Sequence, residues 1–284
     1  MGVTETSAPV YDWRRTIAWL DQNGNETERA RLRGLLGRSR PDARVVRTLE
    51  ARQNPDGGFP SDQVQDRPSS IDTTELVLRW MQDLNILDSP LAQRVVTYLF
   101  TAQRPDGFWD ESLGLLKFGP PARLLPGDPR VRALCTALAA YGLVMLGHRN
   151  DHAVARALAY LRPRQAAGGR FLGFIRTTWT AAALFRLAEG PGSSIAARAI
   201  DALAAVEPGR WHAGALGGML NCFVESGVPP VAPLVQKGLV RLRALAEPDG
   251  SWPPEEGEFY RAEVTLSALR ALLLYGAVAA SDGR

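Results

Sequence analysis

A chain of 284 residues has room for one large domain or two ordinary ones, and 45% hydrophobic content excludes a disordered protein. The formal charge of +3 is small for this length, with arginine spread along the chain, which argues against nucleic acid as the partner. No apolar run reaches the roughly 18–20 residues that a membrane span needs.

Met1 to Tyr11 lacks the basic segment and apolar run of a signal peptide, so a soluble, cytoplasmic protein is expected. Helices are predicted from Trp13 to Leu20 and from Glu26 to Leu36. From Val45 onward a unit repeats. Each unit has a helix, a Gly-containing turn that ends on an aromatic, and then a second helix. Six residues separate the start of each turn from its aromatic: Gln53 to Phe59, Gln103 to Trp109, Gln165 to Phe171, Ala205 to Trp211 and Ala246 to Trp252. The intervals between turns are 50, 62, 40 and 41 residues, in the range of a repeated supersecondary unit.

The helices before the turns are predicted at Val45 to Arg52, Leu91 to Ala102, Ala153 to Leu161, Ile195 to Ala204 and Val231 to Leu245. Pro and Gly end them, since Pro cannot continue a helix and Gly accepts positive φ. The helices after the turns are predicted at Thr73 to Leu84, Val131 to Leu146, Thr177 to Ala188, Ala213 to Glu225 and Ala262 to Ala279. This second set is apolar nearly all round and belongs inside, whereas the first set is studded with Arg and belongs outside. No segment alternates with period two, so no sheet is expected. Inner helices alternating with outer ones close into an all-α toroid of five or six helical hairpins, spanning 1–284 as a single domain. Cys135 and Cys222 lie far apart in apolar helical stretches and read as reduced core residues.

Gln followed at fixed spacing by Gly and an aromatic resembles the Gln–Trp repeats of squalene–hopene cyclases, plant diterpene cyclases and protein prenyltransferase β subunits. The resemblance covers about Val45 to Ala279. It implies a structural role for Gln53, Gln103, Gln165, Trp109, Trp211 and Trp252, with the Gln side chains tying neighbouring repeats together. Protein prenyltransferases bind zinc through an Asp, a Cys and a His. The segment Glu258 to Glu263 is similar to the one that supplies their His, but Arg261 stands in that place. Only three histidines exist, His148, His152 and His212, and neither cysteine has a His or an acid at ligand spacing, so no metal site is expected.

Class II terpene cyclases carry an Asp-x-Asp-Asp-Thr signature whose middle Asp protonates an alkene or epoxide. Ser70-Ile71-Asp72-Thr73-Thr74 is similar to it and puts Asp72 in the place of the proton donor, with Ser70 and Thr73 where two acids stand in the family. Such a donor needs a carboxyl kept neutral, and the cation it creates needs a dry pocket with aromatic faces. Trp80, Tyr141, Phe174, Trp179, Phe223 and Tyr260 lie on or just before inner helices and are the candidate lining, although aromatics at helical spacing also suit a plain core. Asp72 followed by Glu75 reads equally as a helix N-cap and its N3 partner.

Glu225 and Glu263 are unusual on apolar inner helices and read as ion-paired residues or as polar pocket groups. Arg176 and Arg261, near inner-helix starts, are either diphosphate-binding groups or solvated arginines. The residues imply no cofactor; Mg2+ would accompany a diphosphate substrate. The long connection from Asp110 to Arg130, with Leu115, Leu116 and Phe118, suggests a lid over the mouth on the side of Asp72, or a partner contact.

Two functions follow. One is a small class II-type cyclase acting on a linear isoprenoid, with Asp72 as general acid. The other is a toroid that binds an isoprenoid or a protein partner without chemistry. Class II cyclases place the cavity between two toroids, so a lone ring closes its pocket with its own loops, a second copy in a homodimer, or another protein.

Overall fold

The computed structural model describes residues 11–37 and 41–277. They form twelve α-helices: α1 (Trp13–Asn23), α2 (Glu26–Leu35), α3 (Ala43–Arg52), α4 (Ile71–Asp83), α5 (Pro90–Ala102), α6 (Pro129–Met145), α7 (His152–Leu161), α8 (Ile175–Glu189), α9 (Ser194–Ala204), α10 (Ala213–Glu225), α11 (Pro233–Ala244) and α12 (Arg261–Leu274). Local chemistry sets many of the starts. Asn25 and Glu28 form a capping box at α2. Ser89 precedes Pro90, and Asp128 precedes Pro129, pairing a side-chain cap with a proline at the first helical position. Compared with the prediction, α12 stops at Leu274, and the expected end at Ala279 lies outside the described residues.

Burial separates the two sets of helices. In α7 only Ala153, Val154, Ala157 and Leu161 are buried, a single stripe at spacings of three and four. In α6 every residue from Ala133 to Leu143 is buried, so that helix has protein on all sides. The even-numbered helices each pack on the next, α4 on α6, α6 on α8, α8 on α10 and α10 on α12, and α2 lies between α12 and α4. The ring is therefore an α/α toroid of six hairpins. Its inner wall includes α2, which the repeat does not mark.

The turns hold the hairpins together by one scheme. The side-chain amide of Gln53 donates to Gly57 O (2.8 Å) and to Leu91 O on the next outer helix (3.1 Å). Gln103 does the same to Gly107 and Ala153, and Gln165 to Gly169 and Ile195. Gly57 sits at φ 92°, and a Cβ there would stand 2.2 Å from Arg94 O, so only glycine allows this approach. The backbone N–H of each closing aromatic then donates to a threonine on the following inner helix: Phe59 to Thr74, Trp109 to Thr136, Phe171 to Thr178 and Trp252 to Thr265. The fourth turn, Ala205 to Trp211, makes neither bond among the described residues.

In the fifth turn Ala246 replaces Gln, and the missing donor comes from the far end of the chain. Thr16 of α1 donates to Gly250 O at 2.7 Å, and Gly250 packs against the backbone of Arg15 and Thr16. This contact closes the ring. One expectation fails locally: β1 (Phe59–Pro60) pairs antiparallel with β2 (Ser69–Ser70), with Phe59 opposite Ser70. Two residues per strand are too few to show a period-two pattern.

Thr16→Val keeps the shape of the side chain but leaves the buried Gly250 carbonyl without its donor. Urea unfolding should show a loss of about 1–3 kcal/mol, and no loss would deny this bond its part in closure.

Candidate active site

A cavity of about 420 Å³ runs down the inside of the ring. On α4 its lining residues are Asp72, Thr73, Leu76, Arg79 and Asp83, one face of the helix, and from Asp72 to Asp83 the wall is about 16 Å deep at 1.5 Å per residue. Phe174, Arg176 and Trp179 line it from the start of α8, Gly214, Ala215, Gly218 and Asn221 from α10, and Glu263, Val264, Ser267 and Arg270 from α12. At the mouth stand Asp62 and Gln63 between β1 and β2, Arg123 from the long connection after Trp109, and Glu255, Glu256 and Tyr260 before α12. The long connection therefore lies at the same end as Asp72. Its Arg123 pairs with Glu256 at 3.1 Å, while its Leu113, Leu116 and Phe118 are exposed.

Asp72 is in the first turn of α4, but it is not the cap. Ser70 is the N-cap, accepting from Thr73 N–H at 3.3 Å, which corrects the capping-box reading of Asp72 and Glu75. The Asp72 carboxylate instead meets the guanidinium of Arg176, which also donates to Glu75 at 2.8 Å. Glu75 in turn pairs with Arg79 at 3.1 Å.

Behind this turn lies Glu111, which sequence reasoning placed only inside a loop. It is 1% exposed. Its carboxyl accepts from Ser70 Oγ (3.0 Å), Asp72 N–H (3.1 Å) and Ile71 N–H (3.2 Å), taking up the free backbone donors of the helix start. Burial, and after it the nearby Asp72 carboxylate, pushes Glu111 up to about 7 against these three hydrogen bonds.

The deep end of the cavity is charged. Arg31 of α2, 2% exposed, pairs with Asp83 (2.9 Å) and Glu263 (2.5 Å). Arg270 of α12 pairs with the other oxygen of Asp83 (2.8 Å) and with Glu225 (2.6 Å). Burial pushes the Glu263 carboxyl up, but the Arg31 guanidinium outweighs it and holds it below the usual range. Five arginines line the cavity in all, Arg31, Arg79, Arg123, Arg176 and Arg270, and each is ion-paired with an acid.

Asp72, Thr73, Phe174, Arg176, Trp179, Tyr260 and Glu263 thus meet at one cavity. Five other candidates do not reach it. Ser70 is fully buried as the cap. Trp80 is buried off the wall, its ring lying against the Arg31 guanidinium and its indole N–H donating to Glu263 at 2.8 Å. Tyr141 lies two turns beyond Leu134, the one α6 residue on the wall, and its hydroxyl bonds Glu225. Phe223 is two residues past Asn221, on the opposite side of α10, and is fully buried. Arg261 points away to Glu258 (2.6 Å) and Ser251.

No protein-family model matches the sequence, and no curated protein does. Solved structures match the fold. A variant of the type II terpene cyclase MstE from Scytonema, in complex with the product merosterolic acid A, aligns at a TM-score of 0.62 and 15% identity over 93% of this chain and 96% of that one. A variant of the same protein holding the substrate geranylgeranyl dihydroxybenzoate aligns at 0.62 and 15%, with the same coverage. The ent-copalyl diphosphate synthase from Streptomyces platensis aligns at 0.59 and 18%, over 88% of this chain and 50% of that one. The chain has the terpenoid-cyclase fold. No helix among the described residues is long and apolar enough to cross a membrane.

The raised Glu111 carboxyl predicts how stability depends on pH. Between 4.5 and about 7 the folded protein keeps a proton that the unfolded chain has released. The contribution is therefore full below 4.5 and is lost as pH rises through 7. Unfolding free energies measured across this range should fall with pH, and Glu111→Gln should flatten that slope. An unchanged slope would sink the assignment.

Proposed function

We propose that the protein is a class II-type terpene cyclase that closes rings in a linear isoprenoid after protonating its terminal alkene. The observation that carries this reading is the Asp72 carboxyl, presented at the N-terminal end of an inner helix into a cavity walled beside it by Leu76, Phe174 and Trp179. The volume suits a chain of this class, since small-molecule pockets run from about 300 to 1,000 Å³.

In this reading protonated Asp72 gives its proton to the alkene carbon. The neighbouring double bond then attacks the cation and a ring closes. Loss of a proton from the last cation leaves an isomer of the substrate. Arg176 does not need Asp72 to remain paired, because it already holds Glu75. With Asp72 protonated, Arg176 and Arg79 share the one Glu75 carboxylate, so each keeps a contact while one positive charge loses its counter-ion. The Trp179 face and the Tyr260 ring are the aromatic surfaces available to a cation. Variants of MstE, matched over nearly their full length by this single ring, hold geranylgeranyl dihydroxybenzoate as substrate and merosterolic acid A as product. By analogy a lone toroid suffices here, with the connection that carries Arg123 and the segment before α12 closing the mouth. A homodimer or a second protein is then unnecessary. Mg2+ enters only if the substrate is a diphosphate.

The Asp72–Arg176 ion pair favours a second reading, in which the ring binds the same chain without chemistry. One substitution separates the two. Asp72→Asn keeps the shape and loses the acidic proton. Incubation with linear isoprenoids of several lengths, with and without diphosphate, should give cyclic products from the wild type. The variant should lose at least about 10²- to 10⁴-fold in rate. Cyclic product at an undiminished rate from Asp72→Asn would rule out the acid.

A further inference from the structure

The floor of the cavity carries a surplus of negative charge that the proposed chemistry does not use. Two arginines, Arg31 and Arg270, stand there against three acids, Asp83, Glu225 and Glu263. Neutral donors hold the excess. The Tyr141 hydroxyl bonds Glu225, and the Trp80 indole N–H donates to Glu263 at 2.8 Å. The backbone dipoles have the same sign. Asp83 and Glu225 are the last residues of α4 and α10, and Arg270 lies one turn before the end of α12. The floor is thus a meeting of helix C-termini, which carry partial negative charge.

Higher in the wall, Arg79 and Arg176 are matched by Asp72 and Glu75. The interior as a whole therefore sets four arginines against five acids. Protonating Asp72 brings the two counts level and no further. At the mouth Arg123 is paired with Glu256, Arg67 with Asp62, and Glu255 accepts from Gly214 N–H at 3.2 Å. Charges act through space, so a ligand that touches none of these groups still meets their sum.

A diphosphate would bring several further negative charges into this field. With its distal alkene at Asp72, the rest of a chain runs inward along α4, about 16 Å to Asp83 at 1.5 Å per residue. Its head then lies at the floor, stripped of water beside carboxylates, with every cation there already shared. A hydroxyl in the same place brings no charge and meets no such penalty.

We propose that this cavity selects an uncharged isoprenoid, such as the free alcohol, and rejects the corresponding diphosphate. The inference rests on the reading that an isoprenoid lies here with its distal alkene at Asp72, and adds the nature of its other end.

The test is a binding comparison on the full chain, following tryptophan emission. Farnesol and geranylgeraniol are titrated beside farnesyl and geranylgeranyl diphosphate, the latter two with and without Mg2+. The wild type should bind each alcohol at least about tenfold more tightly than its diphosphate. Glu225→Gln removes the surplus charge at a residue that does not line the cavity, and should narrow that ratio at least about threefold. Glu263→Gln makes the same change from α12 if that variant does not fold. Glu256→Gln, an exposed change that frees Arg123 at the mouth, should leave the ratio within about twofold. A diphosphate that binds as tightly as its alcohol overturns the inference and leaves the isoprenoid reading standing. A ratio that does not move in the folded Glu225 or Glu263 variant also overturns it, because charge is then not the cause. So does a ratio lost in Glu256→Gln, which puts the head at the mouth. Binding of neither alcohol nor diphosphate overturns both readings.

Discussion

Charges that enter the middle of a helical ring have only one another for solvent. Arg31 joins Asp83 and Glu263, Asp83 joins Arg270, and Arg270 joins Glu225, so α2, α4, α12 and α10 are linked through groups that are buried and matched. The attraction offsets a desolvation cost that would otherwise expel these side chains, and it does so only while every partner stays in place. This constraint ties the first hairpin to the last, makes the deep end of the cavity polar, and keeps long side chains from collapsing into the space above.

The same pairing sorts the acids by role. Glu75, Asp83, Glu225 and Glu263 each face an arginine with which they share buried contacts, and Glu111 is spent on the backbone of the α4 start. Asp72 differs from these in its position. It stands above the apolar part of the wall, and its one partner, Arg176, is held from the other side by Glu75.

Much of the ring could be read from sequence because its signals are local. Apolar helices without a polar face, glycines at fixed places in the turns, and glutamines six residues before an aromatic are all recognised by local spacing, even though the glutamines and glycines also reach the next outer helix. What could not be read depends on contacts made across the ring. Thr74, Thr136, Thr178 and Thr265 do equivalent work, yet they follow their aromatics by 15, 27, 7 and 13 residues, so no fixed spacing reveals them. Glu111 meets the helix start about 40 residues before it through an irregular connection, and Thr16 meets Gly250 from 234 residues away. The site candidates show the same limit. Helical spacing put Trp80 and Phe223 on inner helices, but which side of each helix faces the cavity depends on the registration of its neighbours.

The fourth turn is the exception among the joints. Among the described residues Ala205 offers no amide to α11, Gly209 meets nothing where the other turn glycines press on a neighbouring helix, and no threonine receives the Trp211 N–H. The seam between α9 and α11 is therefore held by side-chain packing without the polar ties used elsewhere. Apolar burial rather than hydrogen bonding therefore carries this joint, where α9 and α11 pack directly on each other.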